Sequence, residues 1–171
     1  MTETTCGATM PDREHGTVPG SVGRLMPGTE LRVVAGELWV RGPQVAACAM
    51  VDADGWLHTG DAGRIDDNGN VFIVDRLKEL IKVSGHQVAP AELEAVLLAH
   101  PAVADAAVIG RPDERRGEVP VAVVVGDVGE AELLAWAAER VAHYKRPHAV
   151  RFADAIPRTP SGKVLRRAIV A

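Results

Sequence analysis

What most constrains this chain is a change of period around Asp75-Arg76-Leu77-Lys78-Glu79. Before it, short apolar or β-branched runs at 31–34, 37–40 and 71–74 are bounded by Gly, Asp and Asn, the pattern of strands joined by tight turns. Asp67-Asn68-Gly69-Asn70 is a strong hairpin signal. After it the spacing becomes helical. Pro90 at a first-turn position, Glu92 and Glu94 near the positive helix end, and Leu93, Val96, Leu97 and His100 on one face predict a helix ending before Pro101. Residues 103–109 and 121–125 read as strands. Residues 130–142 read as a second amphipathic helix with Leu133, Leu134, Ala137 and Val141 inward. Residues 150–152 close the pattern as a last strand and 164–170 as a short final helix, while the Gly-, Pro-, Thr- and Ser-rich residues 1–30 read as loop.

The charged stretch is therefore the candidate domain boundary. It divides a β-rich region, 1–74, from an α/β region, 75–171, and the fold class is α+β. A chain of 171 residues can bury a core as one domain or two small ones, but is short for a self-sufficient two-substrate enzyme. Composition that is 47% hydrophobic and 25% charged fits a globular protein and excludes disorder or a fibrous repeat. Net charge of -4 gives no electrostatic reason to expect nucleic acid or an anionic membrane; the basic residues Lys163, Arg166 and Arg167 make only a local patch. The apolar run 119–125 is too short to cross a bilayer and no signal pattern opens the chain, so the expected location is cytoplasmic. Cys6 and Cys48 have no CxxC spacing and the six histidines no ligand spacing, so neither a disulfide framework nor a histidine metal site is expected.

Three segments carry chemistry. In Pro157-Arg158-Thr159-Pro160-Ser161-Gly162-Lys163 the tetrapeptide Thr-Pro-Ser-Gly suits a type I turn, which fixes where the following lysine sits. Such a turn can present an ammonium to a reaction centre; on these residues alone it also reads as a solvated surface lysine. It is not a phosphate-binding P-loop, because Pro157 and Val164 stand where that motif needs Gly and Ser or Thr. Thr59-Gly60-Asp61 puts a carboxylate on a tight turn, where it can accept two hydrogen bonds from a vicinal diol or serve only as a turn former. The cluster from Asp75 to Gln87 can send Arg76, Lys78, Glu79 and Lys82 to different faces of one element, or be a polar linker.

Taken in order with Thr2-Glu3, Pro19 to Gly23, Gly36 to Gly42 and Val88 to Glu94, these segments resemble the adenylate-forming (AMP-binding) enzyme superfamily. The likeness runs nearly end to end and looks nearest to 4-coumarate-CoA ligase, fatty acyl-CoA synthetases and beetle luciferase. It implies that 1–74 is the distal end of a large N-terminal domain and 75–171 a mobile C-terminal lid. The implied reaction forms an acyl-adenylate from ATP and a carboxylic acid, then a thioester with coenzyme A.

By matching position, Lys163 becomes the adenylation lysine and Asp61 the ribose ligand. Arg76 supports the nucleotide, Thr2 lies near the phosphates and Glu3 near the Mg2+ held by them. Lys78 takes the hinge position. Lys82, Gly85 and Gln87 lie on the face used for the thioester step, with Lys82 and Gln87 in catalytic positions and Gly85 letting the pantetheine chain approach. The family places a phosphate loop and acid pocket upstream of Met1-Thr2-Glu3, so the polypeptide is not expected to make an adenylate alone. The stretches 34–36 and 45–51 are shorter than the family's usual loops, and Val83-Ser84 stands where plant ligases commonly have Tyr-Lys. The competing expectation is a non-catalytic nucleotide- or CoA-binding or partner module on the same fold.

Overall fold

The computed structural model describes every residue except 1, 6, 13–15, 17, 170 and 171. The chain packs as two units, Met1–Lys78 and Glu79–Ala171.

The first unit opens with a 3-10 turn at Thr2–Thr4 and a two-stranded ladder of β1 (Thr9–Met10) and β2 (Arg24–Leu25). The described part of the expected loop region is otherwise mostly irregular, as its composition dictates. An antiparallel meander follows: β3 (Glu30–Val34), β4 (Glu37–Arg41), β5 (Leu57–Ile65) and β6 (Val71–Arg76), in that order across the sheet. The β3–β4 turn, Ala35-Gly36, has φ of 49° and 84°, the doubly left-handed form whose twist matches a two-residue hairpin. In the β5–β6 hairpin the Asp66 carboxylate accepts the amides of Asn68 (3.0 Å) and Asn70 (2.8 Å) and the Asn70 side chain (2.9 Å). That is why the Asp-Asn-Gly-Asn signal closes here.

The second unit is built on β10 (Gly117–Gly126). It pairs with β9 (Val103–Asp113) on one edge, and with β11 (Ala149–Phe152, parallel) and the end of β7 (Ile81–Val83) on the other. β7 forms a hairpin with β8 (His86–Val88). Alternate side chains of β9 and β10 go to opposite faces. Ala106, Val108, Ala122 and Val124 meet Leu93 and Leu97 of α1 (Pro90–Leu98) and Leu133 of α2 (Glu130–Ala138). Ala107, Ile109, Val121 and Val123 meet Ile156, Val164 and Ile169 on the other face. Both faces of β10 are covered, so its sequence is continuously apolar rather than alternating.

Three expectations are corrected. The second helix stops at Ala138, four residues before the expected end, because Arg140 and Arg146 donate to the carbonyls of Trp136 (2.9 Å) and Ala138 (3.0 Å) in place of a further turn. The expected helix 164–170 is a bridge from Val164 to Arg158 followed by a 3-10 turn at Arg166–Ala168; residue 170 lies outside the described residues. Thr59-Gly60-Asp61 sits within β5 rather than on a tight turn. Gly60 (φ 71°) kinks the strand beside register irregularities on both of its ladders. Among the described residues no helix is long and apolar enough to cross a membrane.

Candidate active site

In the first unit the strand kink at Gly60 turns the Asp61 side chain toward β6. Asp61 is 9% exposed and its Oδ1 lies 2.9 Å from the Arg76 Nε. The same guanidinium donates to the Thr59 carbonyl at 2.8 Å, so Arg76 holds both ends of the Thr-Gly-Asp segment. The Thr59 hydroxyl donates to the Leu38 carbonyl (2.6 Å) and accepts the Asp61 amide (3.1 Å). Glu37 on β4 accepts the Gly60 amide (2.7 Å) and the Trp39 indole N–H (2.8 Å). A kinked strand exposes backbone amides that a straight ladder would use, and the neighbouring side chains satisfy them. Asp61, Thr59, Thr9 and Thr4 supply the polar groups of an otherwise largely apolar cavity of about 270 Å3. Thr4 ends the turn that begins at Thr2; Thr2 is exposed and Glu3 half-buried.

Arg76 ends β6, and Lys78 stands exposed in the 3-10 turn Leu77–Glu79 that follows. In the second unit Lys82, Gly85 and Gln87 share the β7–β8 hairpin, and all three are exposed. Its turn, Ser84-Gly85, has φ of 48° and 83°, and the space where a Gly85 side chain would stand is open. Beside it a cleft of about 120 Å3 is lined by Arg116, His143, Arg146 and His148, with Tyr144 stacked on His86 at 4.3 Å, and no carboxylate lines it.

Lys163 follows a turn fixed at four points. The Gly162 amide donates to the Thr159 carbonyl (2.9 Å), the Thr159 amide to the Lys163 carbonyl (2.8 Å), the Lys163 amide to the Thr159 hydroxyl (3.1 Å), and the Leu165 amide to the Pro157 carbonyl (2.8 Å). Gly162 has φ of 84°, the left-handed residue that ends a type I turn of this kind. Arg158 grips Asp105 at 2.7 Å and the Gly162 carbonyl at 2.9 Å. The side chain of Lys163 is exposed and its ammonium has no hydrogen-bond or ion-pair partner among the described residues.

The fold thus pairs Asp61 with Arg76 and gathers Lys82, Gly85 and Gln87 on one hairpin. Sequence reasoning missed Glu37, the Asp105–Arg158 pair, the basic cleft, and an ion cluster of Arg166 with Glu79 and Glu94. Only the placing of Arg158 and Arg166 on either side of Lys163 hinted at the anchoring. Among the described residues no group of three or more His, Cys, Asp or Glu is arranged to hold a metal.

Residues 92–163 match the model of the AMP-binding enzyme C-terminal domain. The chain belongs to the adenylate-forming, AMP-binding enzymes. Within that class it is similar to the plant 4-coumarate–CoA ligases. It is 52% identical to 4-coumarate–CoA ligase-like 9 of Oryza sativa subsp. japonica over 90% of this chain and 32% of that protein. It is 45% identical to a 4-coumarate–CoA ligase of Pinus taeda over 95% and 32%. The fold matches O-succinylbenzoate coenzyme A synthetase from Bacillus subtilis in complex with AMP, with a TM-score of 0.90, 34% identity, and coverage of 99% of this chain and 39% of that one. The chain spans about a third of the length of the curated relatives named here.

Proposed function

We propose that this chain is the C-terminal portion of an ATP-dependent, AMP-forming carboxylic acid–CoA ligase of the cytoplasm. The first unit is the distal end of its N-terminal domain and the second, beyond the hinge position Lys78, its lid, and it acts only with the upstream domain that its relatives possess. In the first half-reaction a carboxylate oxygen attacks the α-phosphorus of ATP and pyrophosphate leaves. Two anions must approach, so a placed cation that meets both lowers the barrier. Lys163 is that cation, and the single observation supporting this is an ammonium with no partner among the described residues, on a turn held by four hydrogen bonds. Asp61 accepts the ribose hydroxyls from its place on the cavity wall, Arg76 orients that carboxylate, and Thr2 meets the phosphates. Glu3 alone fits the way Mg2+ is usually held, by one or two carboxylates with substrate phosphates completing the shell; there the ion would neutralise phosphate charge.

In the second half-reaction the thiol of coenzyme A attacks the acyl carbonyl and AMP leaves. Rotation at Lys78 would bring the β7–β8 hairpin into use, with Lys82 and Gln87 lining the path and Gly85 leaving room for pantetheine. The neighbouring cleft, with two arginines, two histidines and no carboxylate, suits the phosphate-bearing end of coenzyme A.

The test joins this chain, in register, to the N-terminal domain of a 4-coumarate–CoA ligase relative and measures pyrophosphate release with a panel of carboxylic acids. Lys163→Ala should lower release by on the order of 100-fold, with thioester formation from supplied adenylate affected less. Unchanged release would remove the lysine's role. Calorimetry on the chain alone addresses the competing module: saturable coenzyme A binding, together with a fusion that never turns over, favours a non-catalytic binder.

A further inference from the structure

Arg166 makes more polar contacts than its place in a short basic patch suggests. Its Nε donates to the Val108 carbonyl at 3.2 Å and its Nη2 to Glu94 at 2.8 Å. Its Nη1 bonds Glu79, 87 positions earlier in the chain. The same Glu94 oxygen accepts the Val108 amide at 2.9 Å. Val108 faces Ala122 across the β9–β10 ladder. Its amide and carbonyl therefore take their bonds from the α1 and C-terminal side chains, at the edge of β9 turned away from β10. A planar guanidinium can serve three acceptors in fixed directions, which an ammonium on a flexible stem cannot.

Arg158 anchors the other side of the lysine turn differently. It holds Asp105, also on β9, and the Gly162 carbonyl, and none of its bonds reaches Glu79. Lys163 thus lies between two arginines fastened to one strand, and only Arg166 also ties that strand to the residue directly after Lys78. Val164 and Ile169 pack beneath the turn against the second core.

We propose that Arg166 is a positioning residue that couples the Lys163 turn to Glu79, so that the lysine and the segment adjoining a hinge at Lys78 move as one piece. The proposal rests on the ligase reading of Lys163 and Lys78. A group that must arrive within about 0.5 Å of its productive position needs a stiff path from the pivot. Along the chain that path is most of the second unit; through Arg166 it is one side chain. The Glu79 carboxylate is 39% exposed, so the ion pair adds little stability alone, and its use is geometric.

Amide hydrogen exchange on the 171-residue chain tests the coupling directly. Arg166→Gln should speed exchange roughly tenfold both at residues 79–81 and at residues 163–168, whereas Arg158→Gln should do so only in the turn. Glu79→Gln, a change at an exposed side chain that spares the core, should reproduce the Arg166→Gln pattern even if that variant folds poorly. Unchanged exchange at 79–81 in Arg166→Gln, or at 163–168 in Glu79→Gln, overturns the proposal; so does an Arg158→Gln effect that spreads to 79–81. In the fusion protein, Arg166→Gln should slow adenylate formation about tenfold while changing thioester formation from supplied adenylate less than about twofold. Equal loss in both half-reactions makes Arg166 a purely structural residue and overturns the proposal. A wild-type fusion that releases no pyrophosphate instead overturns the ligase reading, and the exchange experiment then still decides whether the two segments are coupled.

Discussion

In the first unit the Asp61 carboxylate meets a guanidinium at 2.9 Å and is 9% exposed, while in the second the Lys163 ammonium leaves its turn with no partner among the described residues. Both side chains are placed by backbone that departs from regular structure, Asp61 by the kink at Gly60 and Lys163 by the turn at Gly162. They differ in what is fixed. Around Asp61 the carboxylate itself is held, by the Arg76 guanidinium, which fits the diol acceptor proposed for it. Around Lys163 only the backbone and the flanking arginines are held, which leaves the cation available to whatever anion comes near. An ammonium already paired with a carboxylate would have to break that pair before it could stabilise a transition state.

The largest effect that separates the two is the loss of turnover expected for Lys163→Ala. Next comes nucleotide affinity. Asp61→Ala in the fusion protein should weaken AMP binding about 10- to 100-fold, the worth of hydrogen bonds to a charged group, with calorimetry as the measurement. Unchanged affinity would mean that the first unit does not hold the ribose and would break the contrast. Smaller effects concern the two matching hairpin turns. Ala35→Gly in the first unit and Ser84→Gly in the second each relieve a residue at φ near 50°. Each should raise stability in urea unfolding by about 0.5 kcal/mol, strain relief being partly offset by the entropy of glycine. A loss of stability at either position would show that the side chain carries a compensating contact.

The smallest effect concerns acid. Hydrogen bonds from the Trp56 amide hold Asp52 below the usual carboxylate range, and those from Asn70 do the same for Asp66. The Arg41 side chain depresses Glu30, and the Arg116 amide depresses Asp113. A depressed folded-state pKa contributes stability that is present above about pH 4, the unfolded value, and is lost as pH falls through the folded value. Three of these four groups belong to the first unit and one to the second. Amides of the first unit should therefore lose exchange protection at higher pH than those of the second as acid is added. Simultaneous loss would mean that these exposed groups do not govern acid stability.

Much of the fold was legible because burial imposes period. Leu93 and Leu97 are fully buried at helical spacing, and the Asp-Asn-Gly-Asn turn sits where its chemistry requires. The errors came where side chains replaced backbone partners. Nothing in the spacing of 130–142 reveals that Arg140 and Arg146 end the helix at Ala138. The Thr-Gly-Asp segment read as a turn because Gly and Asp favour turns, yet bonds from Glu37 and Arg76 on neighbouring strands keep it in the sheet. The chemical residues were named from motif order, which says what a position could do but not how it is held.

The sequence by itself determined the two-part division of periods, the turn that places Lys163, and membership of a family, because each depends on residues close together or on their order along the chain. Only the tertiary structure decided that Asp61 is paired while Lys163 has no partner among the described residues, and that Arg166 joins Glu79, Glu94 and Val108. Those contacts link residues far apart in the chain, and which charged groups meet depends on strand register and on which edge of a sheet stays unpaired, neither of which local propensity encodes.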